Sequence, residues 1–216
     1  MTTVYLVRHS ETFYDLKGEV KAHDALQLTN EKDILGVRGE KYAEKVAKES
    51  EFKNIDVVWA SHFVRAMATA KYFAARNNTR VNIDARLGER WAGDVGSWGG
   101  RPKGYFEKQF YEEDYRYLQG ESQRDVATRM REALFEIVKA NLNKRILIVS
   151  HYTAITFLLK SLCDVTIGET IKQKTIKFND KVIFEGDLGF CETFKLEFDD
   201  NLNLKSIVNI KNKKFK

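Results

Sequence analysis

The stretch TTVYLVRHSETF, residues 2–13, decides the fold of this chain. Residues 4–7 are apolar at every position, which is typical of a strand that a parallel sheet buries on both faces. Arg8 and His9 follow this run directly. Burial of the strand does not explain an arginine and a histidine at its end. Whether the two residues have a function depends on whether the same arrangement recurs in the chain.

The arrangement recurs after two other apolar stretches. IDVVWA (55–60) is followed by His62, which we interpret as structural, and by Arg65, and RILIVS (145–150) is followed by His151. The carboxyl ends of parallel strands form the edge at which open α/β sheets bind their ligands. Helices that start there add N–H groups and a positive dipole end. The pattern therefore predicts one cationic site for an anion such as phosphate.

Helical periodicity between these stretches predicts an α/β protein. Helices are predicted at about 30–49, 62–76 and 121–142, and after His151. A weaker strand is predicted at 81–83, and alternating residues predict an antiparallel hairpin from 190–198 and 204–210. The expected fold is a three-layer α/β/α sandwich whose central sheet is mostly parallel, with an antiparallel edge.

Composition narrows the classes of function. The 216 residues, 43% of them hydrophobic, suit a single domain, 1–216, that needs no metal or disulfide to fold. The net charge of +5 owes much to the tail 209–216, and no nucleic-acid-binding motif is found. Cys163 and Cys191 have no metal-binding spacing. With no membrane-spanning run and no signal peptide recognised, we expect a cytoplasmic protein without a membrane or nucleic-acid partner.

Five blocks of the sequence resemble the histidine phosphatase superfamily, branch 1, the phosphoglycerate mutase-like proteins. They are LVRHSET (6–12), SHFVRAMATA (61–70), LGERWAGDVGSWGG (87–100), GESQRDVATRM (120–130) and ILIVSHYTAI (146–155). They occur in the family's order, and DALQLTNEKDILGVRG (24–39) resembles a sixth block with a few residues inserted. The resemblance implies a phosphoglycerate mutase-like fold.

The resemblance also implies a chemistry in which His9 is the nucleophile and becomes a phosphohistidine. Arg8, Arg65 and His151 would bind the phosphoryl oxygens, whose charge grows in the transition state. Glu89 would protonate the leaving group and then activate water, so its carboxyl must carry a proton near neutral pH. No metal or other cofactor is expected, because the arginines supply the positive charge.

The substrate-binding set implied by the resemblance includes positions at which this sequence departs from the family. The set is Arg8, Asp15, Lys21, Arg65, Glu89, His151 and Tyr152. Asp15 stands where many relatives place an asparagine, and a carboxylate would repel a phosphate dianion. Lys21 replaces a serine or glutamine, and Tyr152 and Ser10 each replace a glycine. These departures predict a substrate unlike that of the standard mutases.

Three functions are compatible with these residues. The first is a metal-independent phosphatase acting on a small organic phosphate, and the second is phosphoglycerate mutase-type transfer. The acids within 104–119 disfavour a second phosphate and hence the mutase, although Arg101 and Lys103 count the other way. The third is a catalytically impaired phosphate-binding or scaffold protein. Residues 92–120 are expected to form a lid-like insertion, and a homodimer is an open alternative.

Overall fold

The computed structural model describes residues 1–13, 27–93 and 102–212. The strands are β1 (Thr2–Arg8), β2 (Val57–Ala60), β3 (Val81–Ile83), β4 (Arg145–Ser150), β5 (Asp164–Ile167), β6 (Lys174–Phe178), β7 (Lys181–Gly186), β8 (Thr193–Phe198) and β9 (Leu204–Ile210). The α-helices are α1 (Gln27–Lys32), α2 (Val37–Ala47), α3 (Val64–Arg76), α4 (Tyr105–Tyr111), α5 (Gln123–Ala140) and α6 (Tyr152–Leu162).

A mixed central sheet positions the predicted site. Its strand order is β3-β2-β4-β1-β8-β9. The pairs β1–β4, β2–β4 and β2–β3 are parallel, whereas β8 is antiparallel to both β1 and β9. The weak strand 81–83 and the hairpin at the sheet edge are therefore confirmed. The three strands that end in histidine-containing motifs, β2, β4 and β1, are direct neighbours.

Helices cover both faces of this sheet, as predicted. Along β1, Val4 and Leu6 pack with buried residues of α5 and α6, while Tyr5 and Val7 pack with those of α2 and α3. Alternate side chains of a strand point to opposite faces, so both faces of β1 are buried. All four side chains have no exposed surface. This explains why residues 4–7 are uniformly apolar.

One helix prediction needs correction. The single helix predicted at about 30–49 is divided into α1 and α2, because Leu35 pairs with Thr12 in an isolated bridge between them. Within the expected lid-like insertion, α4 covers Tyr105–Tyr111 and ends before Tyr117. By contrast, α5 begins where the sequence predicts. The Ser122 hydroxyl accepts the backbone N–H of Asp125, and the Asp125 carboxylate accepts the backbone N–H of Ser122, which together form a capping box.

The sequence prediction missed a second sheet. Strands β5, β6 and β7 form an antiparallel sheet, here called the accessory sheet, between α6 and β8. Asn179 and Asp180 connect β6 to β7, and both have positive φ angles, 49° and 61°. Two consecutive residues with positive φ are typical of a tight hairpin turn, and Asn and Asp tolerate that conformation best after glycine.

Candidate active site

The carboxyl ends of β1, β2 and β4 bring the predicted residues together. Arg8 pairs in register with Ser150 on β4, so His9 and His151 follow their strands at the same level. The ring centroids of the two histidines are 5.1 Å apart. Arg65, in the first turn of α3, reaches His9 with its Nε atom at 3.2 Å. Residues from three distant parts of the sequence thus converge as expected.

The hydrogen bonds of His9 define the state of its ring. Nδ1 lies 2.7 Å from the Ser10 carbonyl oxygen, which can only accept, so Nδ1 carries the proton. Nε2 accepts from the Nε–H of Arg65 and therefore presents a lone pair. Burial, together with the charges of Arg65 and Arg8, holds the pKa of His9 well below its usual value. His9 is a neutral imidazole with its free nitrogen directed toward the guanidinium of Arg65.

The two arginines are held by backbone carbonyl groups and aromatic rings. Arg65 is 5% exposed and donates to the Asn30 carbonyl oxygen at 2.5 Å. Arg8 donates to the Leu188 carbonyl oxygen, also at 2.5 Å, and its guanidinium carbon lies 4.3 Å from the centroid of the Phe190 ring. Each arginine is therefore oriented before any ligand arrives, which lowers the entropy lost on binding an oxyanion.

His151 is fully buried, and its Nε2 lies 2.8 Å from the Ser61 hydroxyl. That hydroxyl already accepts the Phe63 N–H, so its own proton is available to Nε2 of His151. The ring proton then sits on Nδ1, which has no partner among the described residues. Burial and the nearby Arg65 keep the pKa of His151 well below its usual value. A neutral histidine can thus offer Nδ1–H to a phosphoryl oxygen.

Glu89 lies at the start of α6, the helix that follows His151. One carboxyl oxygen accepts the Arg90 and Ala154 N–H groups at 2.8 and 2.9 Å, and the other accepts the Thr153 N–H at 3.1 Å. The first turn of a helix is where carboxylates are stabilised by unpaired N–H groups. Glu89 is thereby held by the N–H groups two and three residues after His151, at the N-terminus of the same helix.

The segment that carries Glu89 is held by Arg129 of α5, whose role sequence reasoning did not assign. Arg129 donates to the Arg86 and Gly88 carbonyl oxygens at 2.6 and 2.9 Å and to that of Glu89 at 3.3 Å. It also binds Glu121 through two bonds of 2.6 and 2.9 Å. Both residues lie in the block 120–130, but only the folded chain reveals what they contact.

Tyr152 lies beside Arg8, with its ring centroid 5.1 Å from the guanidinium carbon. Its hydroxyl donates to Asp187 at 2.7 Å and accepts from Lys174. Lys174 is on β6 of the accessory sheet, and Asp187 follows β7. Both were missed because that sheet was missed. Its signal in the sequence was the Asn-Asp turn between two stretches of alternating residues.

Ser10 is accommodated without distortion. Its hydroxyl donates to the Gly39 carbonyl oxygen at 2.7 Å, and its φ angle is not among the positive ones. Gly39 must approach this segment closely, because a Cβ atom there would come within 1.9 Å of the Glu11 carbonyl oxygen. Asp15 and Lys21, two predicted substrate-binding residues, lie outside the described residues.

Two features are absent from the described ranges 1–13, 27–93 and 102–212. Within them, no group of three or more His, Cys, Asp or Glu side chains is placed to hold a metal ion. Among the same residues, no helix combines the length and apolarity needed to cross a membrane.

Comparison with known proteins gives the family of the chain. Residues 4–180 match the model of the histidine phosphatase superfamily (branch 1), and the chain belongs to this family. A protein named probable phosphoglycerate mutase GpmB, from Erwinia tasmaniensis, is 31% identical over 169 residues, which are 75% of each chain. Phosphoserine phosphatase 1 of Hydrogenobacter thermophilus is 29% identical over 162 residues, 70% of this chain and 71% of that protein.

Solved structures share the fold. Mycobacterial hydrolase 1 superposes with a TM-score of 0.70 at 20% identity, covering 96% of this chain and 95% of that one. A phosphoserine phosphatase mutant of Entamoeba histolytica, solved with phosphoserine, gives a TM-score of 0.66 at 22% identity, with 96% of both chains covered. At this level of identity, the likeness establishes the α/β architecture.

Proposed function

We propose that this protein is a metal-independent phosphomonoester hydrolase that works through a phosphohistidine on His9. The observation that carries the proposal is the state of His9: a neutral ring whose proton is fixed on Nδ1 and whose Nε2 lone pair lies 3.2 Å from the Nε atom of Arg65. A nucleophile of this kind needs an oxyanion-binding group beside it, and Arg65 is that group. Membership of the histidine phosphatase family supports the assignment.

In the first step, Nε2 of His9 attacks phosphorus as the bond to the leaving oxygen breaks. Arg8, Arg65 and the Nδ1–H group of His151 bind the phosphoryl oxygens, whose negative charge is largest in the transition state. Glu89 acts in its protonated form, which the anionic substrate beside it favours, and transfers its proton to the leaving oxygen, so the product departs as an alcohol. The enzyme is left with phosphate bonded to Nε2.

In the second step, water replaces the histidine. Glu89, now a carboxylate, removes a proton from water as its oxygen attacks phosphorus and the phosphorus–nitrogen bond breaks. The bonding electrons return to Nε2 of His9, which is again neutral. Inorganic phosphate leaves, and the cycle has consumed one water molecule.

The substrate class proposed is a small organic phosphate. Phosphoserine and 3-phosphoglycerate are the first compounds to assay, because relatives or neighbours bear these names or were solved with these ligands. The idea that 92–120 forms a lid over the leaving group belongs to this proposal, as do the binding roles of Asp15 and Lys21. The cytoplasmic location and the single domain 1–216 stay predictions from the sequence.

Phosphoglycerate mutase-type transfer is the second candidate, and Arg90 favours it. This residue is 6% exposed, donates to the Tyr105 hydroxyl, and has an Nε atom without a partner among the described residues. A buried guanidinium that follows Glu89 directly could bind an anionic group on the substrate. Such a group could be a carboxylate or the second phosphate of a bisphosphate.

Turnover of p-nitrophenyl phosphate by wild type, His9→Ala and His62→Ala tests the proposal. Hydrolysis should disappear with His9 and persist in the His62 control. Radiolabelled substrate should leave acid-labile, alkali-stable phosphate on the wild-type chain. Turnover that survives in His9→Ala would refute the phosphohistidine route. Accumulation of 2-phosphoglycerate from 3-phosphoglycerate and its 2,3-bisphosphate would instead identify a mutase.

A further inference from the structure

Arg8 owes its orientation to groups outside its own strand. Its Nη1 group donates to the Leu188 carbonyl oxygen at 2.5 Å. Its guanidinium carbon lies over the rings of Phe190 and Tyr152, at 4.3 and 5.1 Å from their centroids. Guanidinium groups are attracted to aromatic faces, and the position of the rings therefore influences where the forked donors of Arg8 point.

The ring of Tyr152 is itself held at its hydroxyl end. The hydroxyl donates to Oδ1 of Asp187 at 2.7 Å and accepts from the Lys174 ammonium group. Lys174 also donates to the Ile171 carbonyl oxygen at 2.8 Å. A phenol with one donor and one acceptor partner has its ring orientation fixed from both sides. Lys174 and Asp187 both come from the accessory sheet and the residue after it.

The ammonium group of Lys174 is kept in this place at a cost. Lys174 is only 2% exposed, and its partners in the described part of the chain are neutral oxygen atoms. Burial lowers the pKa of Lys174 to about 8, with Arg8 and Lys172 acting in the same direction and Asp187 opposing them. An apolar side chain would pack here without that penalty. A lysine in this position therefore calls for a role beyond packing.

We propose that Lys174 and Asp187 are positioning residues that act through Tyr152 to aim Arg8 at the phosphoryl group. The accessory sheet is then part of the phosphate-binding apparatus rather than an appendage to the fold. The inference rests on the proposed function, because it assigns Arg8 to phosphate. It adds two residues that neither the sequence motifs nor the family resemblance provides.

A double-mutant cycle with Arg8 tests the proposal. Tyr152→Phe, Lys174→Met and Asp187→Asn are each made in wild type and in Arg8→Lys, which lacks the planar fork. The readouts are the inhibition constant of inorganic phosphate and kcat/KM for p-nitrophenyl phosphate. When Arg8 is present, we expect each substitution to weaken the binding of inorganic phosphate by about tenfold, as for loss of a charge-assisted hydrogen bond. In the Arg8→Lys background, the same substitutions should change the affinity for inorganic phosphate by less than about twofold.

Two matched controls separate positioning from general damage. Tyr72→Phe also removes a tyrosine–carboxylate bond, to Glu40 at 2.6 Å, and Lys160→Met also removes a partly buried lysine, which donates to Gln123 at 3.0 Å. Both should leave the affinity for phosphate unchanged. Asp187 is exposed, so Asp187→Asn puts folding at little risk.

Equal losses in both backgrounds, or no loss in wild type, would overturn the proposal. Failure of the proposed function looks different, because hydrolysis would then continue in His9→Ala. If wild type shows no turnover, calorimetric titration with inorganic phosphate replaces the inhibition constant. The cycle can then be read from binding alone, and additive losses there would still overturn the role of Lys174 and Asp187.

Discussion

The Nε–H group of Arg65 donates to Nε2 of His9 across 3.2 Å. The guanidinium thus contacts the atom that would attack phosphorus, in a site where both side chains are at least nine-tenths buried. A positive charge at this distance disfavours protonation of the ring and keeps the lone pair available. An incoming phosphoryl group placed between the two residues would take over the donor of Arg65 as His9 begins its attack.

Arg65→Lys should lower kcat by about 100-fold or more, as removal of one oxyanion donor does in other enzymes. A lysine keeps the charge but has neither the Nε–H group nor the fixed fork. Steady-state kinetics with p-nitrophenyl phosphate measure the effect. Arg76→Lys, at the other end of α3, is the matched control and should retain full activity. An unchanged kcat in Arg65→Lys would show that the guanidinium of Arg65 does not stabilise the transition state.

Stability should fall with acidity below about pH 6.5. The folded state lowers the pKa of both His9 and His151 below the usual 6.5, so the unfolded chain binds more protons in that range. Each histidine should contribute up to about 1.4 kcal/mol of lost unfolding free energy per pH unit. Urea titrations at pH 7.5 and 5.5 measure the slope, which should be shallower in the double variant His9→Gln/His151→Gln. Equal slopes would contradict the prediction.

Glu89→Gln should impair substrates according to their leaving groups. A poor leaving group such as the serine alkoxide of phosphoserine needs a proton, whereas p-nitrophenolate departs unaided. We expect formation of the phosphohistidine, followed in a single turnover, to slow by about 100-fold or more for phosphoserine and much less for p-nitrophenyl phosphate, whereas its hydrolysis should slow equally for both. Glu107→Gln in α4, a solvent-exposed acid, serves as the control. A uniform loss in the rate of phosphohistidine formation across both substrates would argue against proton transfer from Glu89.

Arg129→Lys should reproduce the leaving-group dependence of Glu89→Gln in weaker form. The change removes the fork that binds Glu121 and the carbonyl groups of Arg86, Gly88 and Glu89, so the Glu89 segment loses its support. We expect kcat for phosphoserine to fall by about tenfold, as misplaced catalytic groups act less efficiently. Arg131→Lys, two residues away on α5 with one bond to Ser161, should have no such effect.

Ser10→Ala should reduce stability and leave catalysis intact. The serine hydroxyl donates to the buried Gly39 carbonyl oxygen at 2.7 Å, and its loss should cost about 1 kcal/mol of unfolding free energy. The backbone carbonyl of residue 10, which binds Nδ1 of His9, is unaffected by the change. Chemical denaturation and kcat/KM measured on the same preparation test both parts. A large drop in kcat/KM would mean that the hydroxyl takes part in the reaction.

The sequence predicts the central sheet and the residues at its carboxyl edge for a shared physical reason. A strand buried on both faces is apolar throughout, so polar side chains such as Arg8 and His151 stand out where it ends. Parallel pairing then brings such residues together without further information. The capping box of α5, formed by Ser122 and Asp125, is an equally local signal.

Contacts that depend on how whole elements pack could not be read in this way. Arg129 is one of several charged residues on α5, and nothing local says that it faces the Glu89 segment rather than solvent. Lys174 lies in a stretch whose alternation resembles an exposed strand, yet it is almost completely buried against Tyr152. Tertiary packing overrides composition at both positions.

Strand β1 pairs with β4 from Thr3 to Arg8 and with β8 from Thr2 to Val7. On the ribosome, β1 therefore emerges before residues 145–150 and 193–198 and has no neighbouring strand until they follow. Until then the apolar side chains of β1 are exposed, and the site at its carboxyl end lacks the residues that follow β4. The apolar segment is therefore prone to aggregation until residues 145–150 and 193–198 have been made, and chemistry can begin only after both strands are in place.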